Sequence, residues 1–420
     1  MWQLRDGYRS LSVSTQCHLY CILSIFILPL TGRTLGFSGQ IQKSQKLNHL
    51  IIDPGPGDLY IGAVNRIFRY DSDLGLLNEV KTGPRKDNPA CIYPFGGLTC
   101  NSAGNDVYDT KDIDDVNKIL VLDKGHSRLI TCGSVFQGTC QTFNLELTSN
   151  SSYRDDVIYF IAANDMDSST VAFLDNSALY VGVRYSGTEE NADTRKGVPL
   201  VSSRQISGAD IFKYTATDDL EGTGTYLFLS DVIQDSYLIS YISGFGFDGY
   251  SYFFSTQRKS PNSQEYTSKI AQICQNDRKF TSYVEMPLIC QTDNITYNLI
   301  TSAVLTKLGK DLASNLNIAS TDYVIVATFV KSQASEGDDK STQSAVCVYT
   351  MDSVREKFTK NQRNCFEGRQ EKIGDQFSST LKCTHLSVSI GLHLAFINLF
   401  LMLPLAFLNL KLIIANLVCM

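Results

Sequence analysis

Tryptophan occurs once in 420 residues and histidine 5 times. Only His49 and His126 fall between residue 37 and Cys383, and neither Gly-x-Ser-x-Gly nor His-Glu-x-x-His occurs, so a histidine-dependent nucleophile and a zinc hydrolase of that type are excluded. No two cysteines stand in Cys-x-x-Cys spacing, which leaves a structural zinc cluster without its ligand pairs. Lys and Arg number 37 against 43 Asp and Glu, for a net charge of −6, and they form no cluster suited to nucleic-acid phosphates. Helical periodicity is sparse: residues 304–316 are the best short helix, read as a connection between strands. Gly244 to Gly249 spells the dinucleotide fingerprint, but a strand-like Tyr-Ser-Tyr-Phe-Phe follows where a helix N-terminus is needed, so it reads as a glycine-rich turn. Asp109, Asp112, Asp114 and Asp115 lack the glycine and terminal glutamate of a calcium loop and read as a solvated loop.

What is plentiful fits β structure. Tyr at 21, Phe at 22 and Gly at 29 suit short strands joined by tight turns. Consecutive strands are expected at residues 49–52, 59–63 and 65–70, then at 118–122 and 128–133, with later ones at 250–255 and 323–330. Leu-Tyr-Ile-Gly-Ala at 59–63 returns as Leu-Tyr-Val-Gly-Val at 179–183, its glycine 120 residues on. A four-stranded unit recurring about every 60 residues is what a propeller blade with long loops produces. Residues 266–290 hold two strand-like runs about a polar turn, with Phe280, Ser282, Val284 and Met286 on one face and Lys279, Thr281, Tyr283 and Glu285 on the other. Residues 186–196 and 332–344 read as exposed loops.

The ends differ from the middle. Residues 1–36 carry Arg5 and Arg9, an apolar run from Leu19 to Leu30 and then small residues, the plan of a secretory signal peptide. Residues 385–420 form a hydrophobic tail, with an uncharged run from Leu386 to Leu410 long enough for a membrane helix. It reads as an aberrant C-terminus, with a membrane span and a lipid-anchor signal as alternatives. The nine cysteines from Cys91 to Cys383 then read as disulfides of an oxidising compartment, and Cys91 with Cys100 and Cys132 with Cys140 enclose short local loops. Asn150-Ser-Ser and Asn294-Ile-Thr are N-glycosylation acceptors.

The 266–290 stretch resembles the sema domain of plexins, the receptors for semaphorins. So do His49-Leu-Ile-Ile, Leu59-Tyr-Ile-Gly-Ala-Val-Asn-Arg-Ile-Phe, Lys81-Thr-Gly-Pro, Val116-Asn-Lys-Ile-Leu, Arg128-Leu-Ile-Thr-Cys-Gly, Gln137-Gly-Thr-Cys and Leu200-Val-Ser-Ser-Arg, in that order. The resemblance implies an all-β seven-bladed β-propeller over residues 37–384, incomplete at its C-terminal end. It implies a receptor ectodomain without catalytic, metal or cofactor groups, which binds a semaphorin in cell and axon guidance at the cell surface or as a secreted form. A homodimer or a co-receptor, and membrane association through the tail, are further partner expectations; nucleic acid is not one. A decoy without signalling and an extracellular propeller enzyme are the alternatives. By the same resemblance Cys290 pairs with Cys347 and Cys365 with Cys383, leaving Cys274 unpaired. The loop around Arg184, Arg195, Lys196 and Arg204 is the expected ligand contact.

Overall fold

The computed structural model describes residues 9–11 and most of 41–366; residues 1–8, 12–40, 89–109, 149–159, 185–196, 367–420 and several one- to four-residue stretches lie outside the description. Five sheets follow one another along the described chain. The first is Leu47–Ile52, Leu59–Ala63, Arg66–Tyr70 and Leu76–Lys81, each strand antiparallel to the next. The second has three strands, Asn117–Asp123, Arg128–Gly133 and Cys140–Asn144. The third is Thr170–Asp175, Ala178–Val183, Val201–Gln205 and Tyr226–Leu227. Ile239–Phe247, Tyr250–Arg258, Tyr266–Cys274 and Val284–Pro287 make the fourth. Leu299–Lys307, Tyr323–Ser332 and Lys340–Thr350 make the fifth, with Arg9–Leu11 paired outside the last. The first strands of successive sheets stand side by side. Meandering sheets whose first strands share a hub are the plan of a β-propeller.

The core is laminated between sheets. Tyr60, Ile67 and Leu129 lie between the first and second, Ile130, Leu179 and Val181 between the second and third. Tyr180, Tyr241 and Phe253 fill the layer between the third and fourth, and Phe254, Ile325 and Phe329 that between the fourth and fifth, where Val354 and Phe358 of the helix Met351–Phe366 join them. The repeated glycine is part of this lamination. A Cβ on Gly62 would lie 2.1 Å from Oδ1 of Asn117, and one on Gly182 would lie 3.0 Å from Tyr241 and 3.1 Å from Phe253. Each glycine sits in the second strand of its sheet and clears space for a side chain on the first strand of the following one.

Four expectations change. Residues 304–316 are not one helix: Leu299–Lys307 pairs with Tyr323–Ser332, and only Lys310–Leu316 is helical, ended by Asn317 at φ 51°. Val304 and Leu305 take the sheet because cross-strand pairing outweighs a weak helical period. Gly244 and Gly246 lie within a strand, where Phe173 and Asp175 of the preceding sheet occupy the space a Cβ would need; only Asp248 and Gly249, with φ of 50° and 80°, form the turn. Strand pairing resumes at Lys340, inside the expected 332–344 loop. In the 266–290 stretch the second strand begins only at Val284; Phe280, at φ 53°, lies in the preceding turn, and of the expected polar face Tyr283 is buried while Thr281 is exposed.

Candidate functional site

Arg204, expected at the ligand surface, is instead 2% exposed in the third strand of the third sheet. Its guanidinium donates to Phe160 O at 2.7 Å, Ser202 Oγ at 3.1 Å and Phe212 O at 3.4 Å, and it stacks 3.9 Å from the Tyr214 ring centroid. Burial holds its pKa below the usual arginine value. Carbonyl oxygens and a π face satisfy this cation, so it is a structural tie between loops and cannot touch a ligand. Arg184 is half-exposed where the second strand of that sheet ends, its backbone N–H donating to Ser169 O at 3.0 Å, and it opens the 185–196 insertion. Arg195 and Lys196 lie outside the described residues.

Cys132 and Cys140 are bonded directly across two strands, and Cys290, in the short hairpin Cys290–Gln291 and Thr296–Tyr297, is bonded to Cys347 of the fifth sheet. Cys274 is itself disulfide-bonded, which corrects the expectation that it stands unpaired. Cys91, Cys100 and Cys383, the side chain of Cys365, and Asn150 lie outside the described residues. Asn294 is exposed in the turn of the hairpin Cys290–Gln291 and Thr296–Tyr297.

That hairpin borders a groove of about 830 Å³ between the fourth and fifth sheets. Its walls include Lys259, just after the second strand of the fourth sheet, and Lys331, next to last in the second strand of the fifth, with Tyr266, Lys269, Gln291 and Tyr297. Lys259 is ion-paired to Glu265 at the rim. Deeper, Lys269 is paired with Glu285, whose side chain is 5% exposed and also accepts from Gln257 Nε2 at 2.9 Å and from the Tyr283 hydroxyl at 3.1 Å. A buried pair with this many hydrogen bonds is costly to break from one side, about 3–5 kcal/mol. Pattern reading missed the groove because its residues come from four segments.

A second polar centre joins the first two sheets. His49 Nδ1 and Asn117 Oδ1 are 2.9 Å apart, and Asn117 Nδ2 donates to Thr131 Oγ1 at 2.7 Å. Lys118 Nζ, buried nearby, donates to Met166 O at 3.0 Å and Ser168 O at 2.7 Å, and burial pushes its pKa down to about 8. Burial pushes the Asp115 carboxyl up to about 6, against hydrogen bonds from Val135 N–H, Thr82 and Ser134 N–H. Of the acidic cluster expected to be solvated, Asp112 and Asp114 are exposed, but Asp115 is 3% exposed because the missing side chain of Gly133 leaves it room. These groups knit the first and second sheets together at the hub.

Meandering sheets that share a hub define a β-propeller arrangement, and residues 300–389 match the Sema domain family model. The chain is homologous to plexins over about 78% of its length. It is 29% identical over 346 residues to Plexin-A4 of Homo sapiens, covering 78% of this chain and 18% of that protein, and 26% identical over 415 residues to Plexin-A2 of Homo sapiens, covering 93% and 21%. The solved full extracellular region of Plexin A4 superposes with a TM-score of 0.62 at 25% identity, covering 77% of this chain and 36% of that one. The chain thus spans about a fifth of the length of these curated relatives.

Proposed function

We propose that the chain is the recognition region of a plexin-like, non-enzymatic receptor, exposed on the outside of the cell, and that its ligand is a semaphorin. The superposition on the extracellular region of Plexin A4 carries the reading. Two described disulfides between strands and sheets fit an oxidising compartment. The proposed contact surface is the loop-bearing end of the third sheet, with Arg184 at the root of the 185–196 insertion. Arg204 has no part in it, since its guanidinium is committed inside the sheet.

The test is a biosensor titration of the secreted, captured chain with a panel of semaphorins. Saturable binding to at least one is expected, weakened about tenfold by Arg184→Glu through charge reversal at the rim. Absence of binding to every semaphorin removes the partner assignment; equal binding by Arg184→Glu removes the surface.

A further inference from the structure

The groove between the fourth and fifth sheets carries a feature that ligand recognition does not use. One wall is the short hairpin Cys290–Gln291 and Thr296–Tyr297, and Gln291 and Thr296, directly paired across it, both line the groove. Asn294, the acceptor of Asn-Ile-Thr, is exposed in the turn between them. It stands two residues from Thr296, so its backbone is at most about 7 Å from a lining residue. The wall is anchored: Cys290 is bonded to Cys347, the Tyr349 hydroxyl donates to Ile289 O at 2.9 Å, and Thr292 N–H closes the turn on Ile295 O at 2.9 Å.

The lining suits a polyol with one apolar face. Ile289 is 43% exposed and Tyr266 half-buried, which supplies a strip for sugar C–H groups. Around them Gln291, Gln333 and the exposed Lys331 offer amide and ammonium groups to hydroxyls. A volume of about 830 Å³ is within the range of sites that bury a small molecule, about 300–1,000 Å³. An occupant tethered beside the groove needs little intrinsic affinity, because attachment sets a high effective concentration.

We propose that this groove is the bed of an N-linked glycan carried by Asn294, its proximal sugars lying along Tyr266 and Ile289. The proposal rests on the extracellular reading above. The attachment consumes a lipid-linked oligosaccharide pyrophosphate: Asn294 Nδ2 forms the bond to the first sugar's C1, the C1–O bond to the pyrophosphate breaks, and the Nδ2 proton leaves with the lipid pyrophosphate. Docked sugars shield the linkage from enzymes and cover Ile289.

The test expresses the full chain in glycosylating animal cells and follows release by peptide-N-glycosidase, native and denatured, reading the Asn294 and Asn150 peptides by mass spectrometry. Release at Asn294 is expected about tenfold slower in the native than in the denatured protein, as for a linkage free about a tenth of the time. Tyr266→Ala should abolish most of that protection, and the exposed Lys331→Ala, which keeps the fold intact, should reduce it about threefold. Asn294 bare while Asn150 is glycosylated, release at Asn294 equally fast in both states, or protection that both substitutions leave unchanged would each overturn the proposal. Both acceptors bare would overturn the extracellular reading with it.

Discussion

Asp115 shows how far one buried polar group reaches. Its carboxyl is raised from 3.8 to about 6 in the folded protein, so between those values the folded state holds a proton that the unfolded state has released. Stability linked to this group is therefore present below about pH 4 and lost as pH rises through about 6. Against Asp115→Asn as reference, the wild type should lose roughly 2 kcal/mol between pH 4 and pH 7, measured by urea unfolding at each pH. A difference that does not vary with pH would refute the assignment. Neither this residue nor Arg204 was legible as buried, since both sit in polar text, and their burial is decided by Gly133, Phe160 and Tyr214, which come from elsewhere in the chain. Cys274 failed as an expectation for a related reason: its pairing was inferred by resemblance, and in this chain it is disulfide-bonded.

At the scale of elements, the strands with strong alternation or turn signals were legible, and the Leu-Tyr-x-Gly repeat pointed to equivalent second strands of two sheets. What the repeat conceals is why the glycine is there, because the side chains filling its space lie on the following sheet. Gly182→Ala pushes a methyl against two buried rings and should cost about 1–3 kcal/mol, the usual penalty of overpacking. Gly62→Ala should cost more, since its Cβ would displace Asn117 from its bonds to His49 and Thr131. Denaturation midpoints of the two variants test the order, and a neutral Gly62→Ala would contradict it. The helix expected at 304–316 failed because Val304 and Leu305 suit either period, and pairing with Tyr323–Ser332 decides between them.

For the whole molecule, fold class and sheet order were legible largely through resemblance, whereas the groove, assembled from four segments, was not. The four described core layers that lie between sheets each join sheets consecutive in the chain, so stability is coupled between nearest neighbours, as in a one-dimensional array. The outermost of the described sheets show it: Leu50 is 64% exposed, Ile52 56% and Val304 52%, while the first strands of the second to fourth sheets expose no residue. Opening should then spread inward from the flanks rather than occur at once. Amide hydrogen exchange followed by mass spectrometry should find Ala178–Val183 and Tyr250–Arg258 slowest and Leu47–Ile52 fastest, a gradient absent if the propeller opens as a single unit. The interior sheets would then act as the stable nucleus of the array, and its flanks would set how quickly a protease or a misfolding partner gains entry.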